Sequence, residues 1–154
     1  MAQISFSIVV VCLNPGEKLL KTVQSVLNQK YGNYEIVVKD GGSTDGSLEQ
    51  LPADSRIRVY TRPDSGIYDA MNQAMSYVTG QFVQFLNCGD LLHDDMVLER
   101  LAAVIERKRG RGADGEGLGH KEKERIFYGN QYHEAWGSVI YSAPEVNDLS
   151  LIHI

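Results

Sequence analysis

The sequence predicts an α/β domain with a mostly parallel sheet and helices on both faces, and three observations carry that prediction. Four β-branched or aromatic runs alternate with helical apolar patterns, the order of a sheet built from βαβ crossovers. The first run, Ser7-Ile8-Val9-Val10-Val11-Cys12-Leu13, is almost continuously apolar, as a strand covered on both faces requires. Polar, turn-forming clusters follow the strands at residues 14–17, 41–46 and 87–90, and open α/β sheets gather their ligand groups at such strand ends.

Taken in order, the first strand runs into Asn14-Pro15-Gly16-Glu17. Asn as N-cap, Pro at the first helical position and Glu three residues after the cap form a capping-box pattern. Leu19, Leu20, Val23, Val26 and Leu27 then share one helical face, and the helix stops near Tyr31-Gly32-Asn33. Residues 35–40 form the second strand. The turn Gly41-Gly42-Ser43-Thr44-Asp45-Gly46 leads to a short helix through Leu48 and Leu51. Residues 56–60 alternate and read as a third, more exposed strand. A helix over residues 67–77 is expected to bury Ile67, Ala70, Met71, Ala74 and Val78. Phe82, Phe85 and Leu86 belong to a fourth, central strand. His93-Asp94-Asp95 caps a helix carrying Val97, Leu98, Leu101, Val104 and Ile105. Residues 107–125 are glycine-rich and charged without apolar periodicity, which reads as a flexible loop. Ile126-Phe127-Tyr128 is a candidate fifth strand. The expected organisation is therefore a binding domain over residues 1–106, the loop over 107–125, and a further segment over 126–154.

The chain has 154 residues, 43% hydrophobic and 23% charged, as in a single globular domain. A net charge of -5 argues against a general nucleic-acid surface. It leaves anionic ligands open, since a metal or a helix N-terminus can hold phosphate locally. Cys12 and Cys88 near strand ends read as reduced, half-buried thiols. No apolar run reaches the ~20 residues of a membrane span. No basic segment precedes an apolar core at the start, so the expected location is cytoplasmic.

Three strand-end clusters hold chemistry-bearing groups. Asp40, followed by two glycines, is either a carboxylate aimed into the crevice or the organiser of its own tight turn. Ser43, Thr44 and Asp45 read as caps. In Asp64-Ser65-Gly66-Ile67-Tyr68-Asp69-Ala70-Met71-Asn72, Asp64 or Ser65 can cap the helix. Tyr68, Asp69 and Asn72 recur at three- and four-residue spacing, so the first turns carry more hydrogen-bonding groups than stability asks for, which favours a polar ligand site. Asp90, in Asn87-Cys88-Gly89-Asp90, either holds Mg²⁺ or Mn²⁺ together with substrate phosphates or caps the next helix. Other patterns exclude themselves. Gly110-Arg111-Gly112-Ala113-Asp114-Gly115 matches a dinucleotide fingerprint in letters but lacks a strand before it and a helix after it. Residues 41–46 lack the Lys-Ser/Thr of a P-loop. His93, His120, His133 and His153 lack metal-ligand spacing, and no G-x-S-x-G elbow occurs.

Together these motifs resemble family 2 glycosyltransferases, inverting enzymes of the GT-A fold, especially members that build bacterial exopolysaccharide, capsule or O-antigen chains. The resemblance covers residues 5–95: the opening strand closing in Asn14, the strand and Asp-Gly-Gly-Ser-Thr-Asp-Gly turn at 35–46, and the blocks at 64–72 and 80–90. It implies a GT-A, nucleotide-diphospho-sugar transferase fold, incomplete at the C-terminus. It implies that Asp40 contacts the base or ribose of a nucleotide-sugar, with Leu13 and Asn14 lining the same pocket. Asp64 and the Gly66 turn would border the base, Asn72 would shape the pocket, and Asp90 would hold a divalent metal on the diphosphate. The family's commoner metal motif is Asp-x-Asp-Asp; Asn87 and Gly89 stand where two of those carboxylates would be. The acceptor site and catalytic base of the family lie in a later segment, so the base is expected beyond residue 154.

The resulting expectation is transfer of a sugar from a nucleotide-diphospho-sugar to a glycan or lipid-linked acceptor, with peripheral association at the inner membrane face. One alternative is a non-catalytic nucleotide-sugar-binding fragment. Another is a nucleotidyltransferase, which would carry a basic glycine-rich loop where this chain has Asn14-Pro15-Gly16-Glu17.

Overall fold

The structure, a computed structural model, describes residues 3–110, 131–133 and 138–141. The chain divides into a unit over residues 1–112 and a second over 113–154. In the first, β1 (Phe6–Cys12), α1 (Glu17–Leu27), β2 (Tyr34–Asp40), β3 (Ile57–Thr61), α2 (Ile67–Ala74), β4 (Phe82–Phe85) and α3 (Val97–Gly110) follow one another, with a single 3-10 turn at Leu48–Gln50. The sheet order is β3-β2-β1-β4 and every pairing is parallel. In the second unit, β5 (Gln131–His133) pairs antiparallel with β6 (Ser138–Tyr141). Ile126-Phe127-Tyr128 lies outside the described residues.

Side-chain alternation divides the core between two faces. Val9, Val11 and Val37 pack with Ala70 and Ala74 of α2, and Tyr60, Met71, Tyr77, Val78 and Val83 close around them. Tyr60 and Tyr77 stack with ring centroids 3.8 Å apart. Phe6, Ile8, Val10, Ile36 and Val38 point the other way and are all buried. Buried Leu19, Val23 and Val26 of α1 and Leu98, Ala102 and Ile105 of α3 supply the second apolar layer. Each of these Val, Leu, Ile and Phe side chains contributes about 1.5–3 kcal/mol by leaving water. Gln29 fixes α3 beside α1: its Nε2 donates to the Asp94 carbonyl (2.5 Å) and its Oε1 accepts from Leu98 N–H (3.1 Å).

Ser7, a polar residue in an apolar run, is fully buried and satisfied. Its hydroxyl donates to Glu35 Oε1 at 2.5 Å and accepts from Gly80 N–H at 2.8 Å. The Gly80 backbone approaches β1 so closely that a Cβ there would sit 2.6 Å from Phe6 C and Ser7 N. Backbone cannot yield as a side-chain end can, so Gly80→Ala is expected to destabilise by about 1–3 kcal/mol, read from the urea midpoint. An unchanged midpoint would contradict this close approach.

Five local expectations are corrected. α1 begins at Glu17 with Gly16, not Asn14, as N-cap and no side-chain cap bond. Asn14 takes φ 46°, a conformation Asn tolerates, and its side chain is used by a distant turn instead. α2 likewise has Gly66, not Asp64 or Ser65, at its N-cap, and it ends at Ala74. Ile67 is 49% exposed rather than buried, because the first turn of α2 stands at the open strand-end crevice, where no element covers it. β4 is an edge strand among the described residues rather than a central one; Phe82 meets Phe6 of the paired strand β1, ring centroids 6.2 Å apart, while Phe85 is exposed. α3 continues past Arg107 to Gly110, since Arg and Lys extend a helix on intrinsic propensity without an apolar stripe.

Candidate functional site

A cleft of about 300 Å³ opens where β1 and β4 end, lined by Cys12, Leu13, Asn14, Lys18, Asn87 and Cys88 among others, with Ile67 of α2 at its rim. Its place follows from topology. The chain winds outward from β1 through β2 to β3, then crosses back to lay β4 on the other side of β1. That reversal leaves the β1 and β4 loops diverging in opposite directions, and the crevice between them is where open α/β sheets receive ligands.

The wall on the β1–β2 side is built from side chains bonding across loops. Asn14 N–H donates to Ser43 Oγ (2.7 Å), Asn14 Oδ1 accepts from Thr44 N–H (2.8 Å), and Gly16 N–H donates to Asp45 Oδ2 (2.7 Å). Asp45 also accepts from Ser47 N–H and Oγ, which together with the Gly16 bond holds its carboxyl below the usual range. Ser43, Thr44 and Asp45 thus clip the β2 turn to the loop that forms the cleft.

Asp40 is fully buried. Its carboxylate accepts from Gly42 N–H (3.0 Å), Ser43 N–H (3.0 Å) and Ser43 Oγ (2.5 Å), and the Cys12 thiol lies 3.8 Å away. Burial alone would push its pKa up, but the bonds from Ser43 and Gly42 outweigh it and hold the carboxyl below its ordinary value. Both oxygens are engaged by their own turn, so a direct ligand contact would require that turn to open. Burial and the neighbouring Asp40 charge push the Cys12 thiol up to about 12, which keeps it neutral near pH 7.

Asp64 is positioned by a residue the sequence reading did not single out. Lys39, fully buried, donates from Nζ to Asp64 Oδ2 (2.8 Å) and to the carbonyls of Asp40 (3.1 Å) and Arg62 (2.6 Å). A Cβ on Gly41 would lie 2.9 Å from Asp64 Oδ2 and 3.4 Å from Leu13 Cδ1, so Gly41 leaves the room that brings Asp64 beside the cleft-lining Leu13. Asp64 Oδ1 accepts from Gly66 N–H at 3.2 Å, and Gly66, at φ 134°, takes the left-handed backbone that only glycine adopts readily. Asp69 Oδ2 accepts from Ser65 N–H (2.8 Å) and from Gln73 Nε2 (3.1 Å), bonds that lower its pKa. It ties the first turn of α2 back to the segment that leads into the helix. Tyr68, 76% exposed, and exposed Asn72 stand on α2 outside the cleft lining.

On the β4 side, Asp90 is exposed and its N–H closes a turn onto the Asn87 carbonyl (2.9 Å). Gly89 N–H donates to Thr22 Oγ1 (2.8 Å), which ties this turn to α1. Among the described residues no group of three or more His, Cys, Asp or Glu side chains could hold a metal ion. The donor set fits no protein-built cage; it offers Asp90 as a single carboxylate. Lys18 as a cleft residue and Lys39 as a scaffold residue were not anticipated from sequence, whereas Cys12 and Cys88 are half-buried free thiols as expected. Lys18 lies on the helical pattern's polar face, and no periodicity signals a cleft-facing cation.

The glycosyl transferase family 2 model matches residues 7–149. A PGL/p-HBAD biosynthesis glycosyltransferase of Mycobacterium tuberculosis is 36% identical over 110 residues, which is 68% of this chain and 43% of that protein. The glycosyltransferase GlyG of Streptococcus pneumoniae is 31% identical over 79% of this chain and 42% of its own length. The chain thus spans about two fifths of the curated relatives it matches. S. aureus TarS in complex with UDP-GlcNAc superposes with a TM-score of 0.61 at 24% identity, over 69% of this chain and 32% of TarS. A mannosyltransferase from Pyrobaculum calidifontis in complex with GDP-Man and Mn²⁺ gives 0.59 at 21% identity, over 67% and 32%. A four-stranded parallel sheet of GT-A type and a family match along nearly its whole length agree with the resemblance read from the motifs, and this chain belongs to glycosyl transferase family 2.

Proposed function

We propose that this chain forms the donor-binding part of an inverting glycosyltransferase. It would move a sugar from a nucleotide-diphospho-sugar to a hydroxyl of a glycan or lipid-linked acceptor in bacterial surface-polysaccharide synthesis. The observation that carries the reading is the cleft at the β1/β4 reversal, walled by the clipped Asn14 loop on one side and the Asn87–Asp90 turn on the other. Leu13 and Asn14 line the donor pocket directly. Asp40 and Asp64 hold its β2 wall, the Gly66 turn leads into α2 beside the rim residue Ile67, and Tyr68, Asp69 and Asn72 stand further along α2, outside the cleft lining, where a bound donor would have to reach them. Asp90 is the carboxylate that would hold Mg²⁺ or Mn²⁺ in company with the donor's phosphates; such an ion supplies counter-charge to the diphosphate. None of the described helices is long and apolar enough to cross a membrane, and a lipid-linked acceptor would be met by peripheral association.

In direct displacement the acceptor hydroxyl attacks the anomeric carbon, loses its proton to a base, and the nucleoside diphosphate departs with the bonding electrons. The residues above act on the donor side of that step: they bind and align it. A second reading of the same cleft is donor binding without turnover. Calorimetric titration with UDP, GDP, CDP and ADP, each with Mn²⁺, tests the common part. One nucleotide is expected to bind with micromolar to millimolar affinity, about -8 to -4 kcal/mol; no heat from any of them would refute it. Sustained release of labelled sugar from the matching donor would then reject the non-catalytic reading.

A further inference from the structure

The cleft contains one cationic side chain among its lining residues, Lys18. It stands in the first turn of α1 next to Glu17, but Glu17 pairs with Lys21 at 3.6 Å, and among the described residues Lys18 has no ion-pair partner. Its stem runs along the Asn87–Asp90 turn: a Cβ on Gly89 would lie 3.5 Å from Lys18 Cδ. That turn presents Asn87, which is uncharged, to the cleft, and its carboxylate, Asp90, lies outside the lining. Burial pushes the neighbouring Cys88 thiol up, with the Lys18 charge acting against that rise and the Asp90 charge adding to it, so both charges are felt inside the cleft. An exposed ammonium that lines a strand-end crevice, with no ion-pair partner among the described residues and beside a turn with one carboxylate, is an anion site more than a cation site.

We propose that Lys18 binds the diphosphate of the donor directly, so that part of the diphosphate's charge is met by the protein and persists without a metal ion. This rests on the donor-site reading above. An ammonium acts here as a mobile point charge on phosphate, and the flexible stem lets it follow the leaving group's growing negative charge. A carboxylate at position 87 or 89 would instead draw Lys18 into an ion pair and leave the phosphates to the metal.

The test uses the full chain with UDP, GDP, CDP and ADP, taking the one the wild type binds tightest and its parent nucleoside, by calorimetry in EDTA and again with Mn²⁺. Lys18→Ala is expected to weaken the nucleoside diphosphate in EDTA by about tenfold or more, the scale of one charge-assisted hydrogen bond. Nucleoside affinity should stay unchanged, Lys18→Arg should keep most of the wild-type value, and the wild-type advantage should shrink as salt rises. Equal loss of nucleoside and diphosphate affinity would show a merely structural role and overturn the proposal. So would unchanged diphosphate affinity, or wild-type binding that vanishes entirely in EDTA. If the wild type binds none of the four nucleotides under any condition, the donor-site reading fails and this inference with it. Binding by the wild type with no change in Lys18→Ala removes this inference alone.

Discussion

Asp40→Ala is expected to lower both stability and nucleotide affinity, each by about 1.5–3 kcal/mol, the worth of hydrogen bonds to a charged group. The carboxylate accepts from two backbone N–H groups and the Ser43 hydroxyl at the end of β2. Removing it frees the turn that carries Ser43 and Thr44, and with them the clips that hold Asn14 on the cleft wall. Affinity should therefore fall through the wall's geometry, without Asp40 touching the ligand. The linkage has a definite sign. Asp40's folded pKa lies below the ordinary value of 3.8, so its stabilisation is fully present above that value and is lost as pH falls through the lower folded pKa. Asp40→Asn keeps the shape but removes the titration, and its urea midpoint should vary less than the wild type's between pH 5 and about 2. Parallel wild-type and Asp40→Asn curves over that window would show that the buried carboxylate is not what couples the turn to protons. A nucleotide affinity in Asp40→Ala equal to wild type would detach the turn from the cleft.

The parallel sheet was legible because its central strands are covered on both faces and leave an apolar signature: residues 8–11 and 36–38 carry no ambiguity of period. The strand-end clusters were legible as a site because strand direction alone brings them together. What the individual polar residues do there was not legible, since it depends on partners far along the chain. Asn14 looks like a cap in sequence and is drawn instead to Thr44, thirty residues away. Asp69 looks like a ligand group and bonds Ser65, a local bond that the spacing to residue 65 also permits. The turn pattern could not decide between Asp40 as ligand group and Asp40 as turn organiser, because it is the same pattern in both cases; burial decides which bonds are made. Neither the strand pattern around Lys39 nor the helical pattern around Lys18 says whether the ammonium is buried or exposed. One is buried against Asp64 and the carbonyls of Asp40 and Arg62 and the other stands in the cleft, a distinction that exists only once β2 is paired and α1 is docked.

Lys39→Met should be among the most damaging single substitutions, costing about 3–5 kcal/mol, as the loss of one partner of a buried ion pair does. The ammonium is fully buried, and the Asp64 side chain is 10% exposed. Without it, a carboxylate and the carbonyls of Asp40 and Arg62 lose their donor in a place water hardly reaches. Against a typical total stability of about 5–15 kcal/mol the variant is marginal, so Asp64→Asn supplies a milder companion. It keeps an acceptor for Lys39 and removes only the charge. The pair itself need not be strongly stabilising, because the cost of desolvating two charges offsets most of their attraction. The double variant Lys39→Met with Asp64→Leu should therefore recover most of the loss, measured as urea midpoints followed by circular dichroism at low temperature. Recovery of stability should come without recovery of nucleotide affinity, since Leu at position 64 cannot accept the Gly66 N–H that starts α2. Single and double variants within about 0.5 kcal/mol of wild type, the scale of an ordinary surface substitution, would mean that Lys39 and Asp64 are hydrated in solution. Large single-variant losses that the double variant does not recover would mean that the network, with its two carbonyl acceptors, matters more than the pair. Either result bears on the same structural point, that the wall beside Leu13 is held in place by a buried charge.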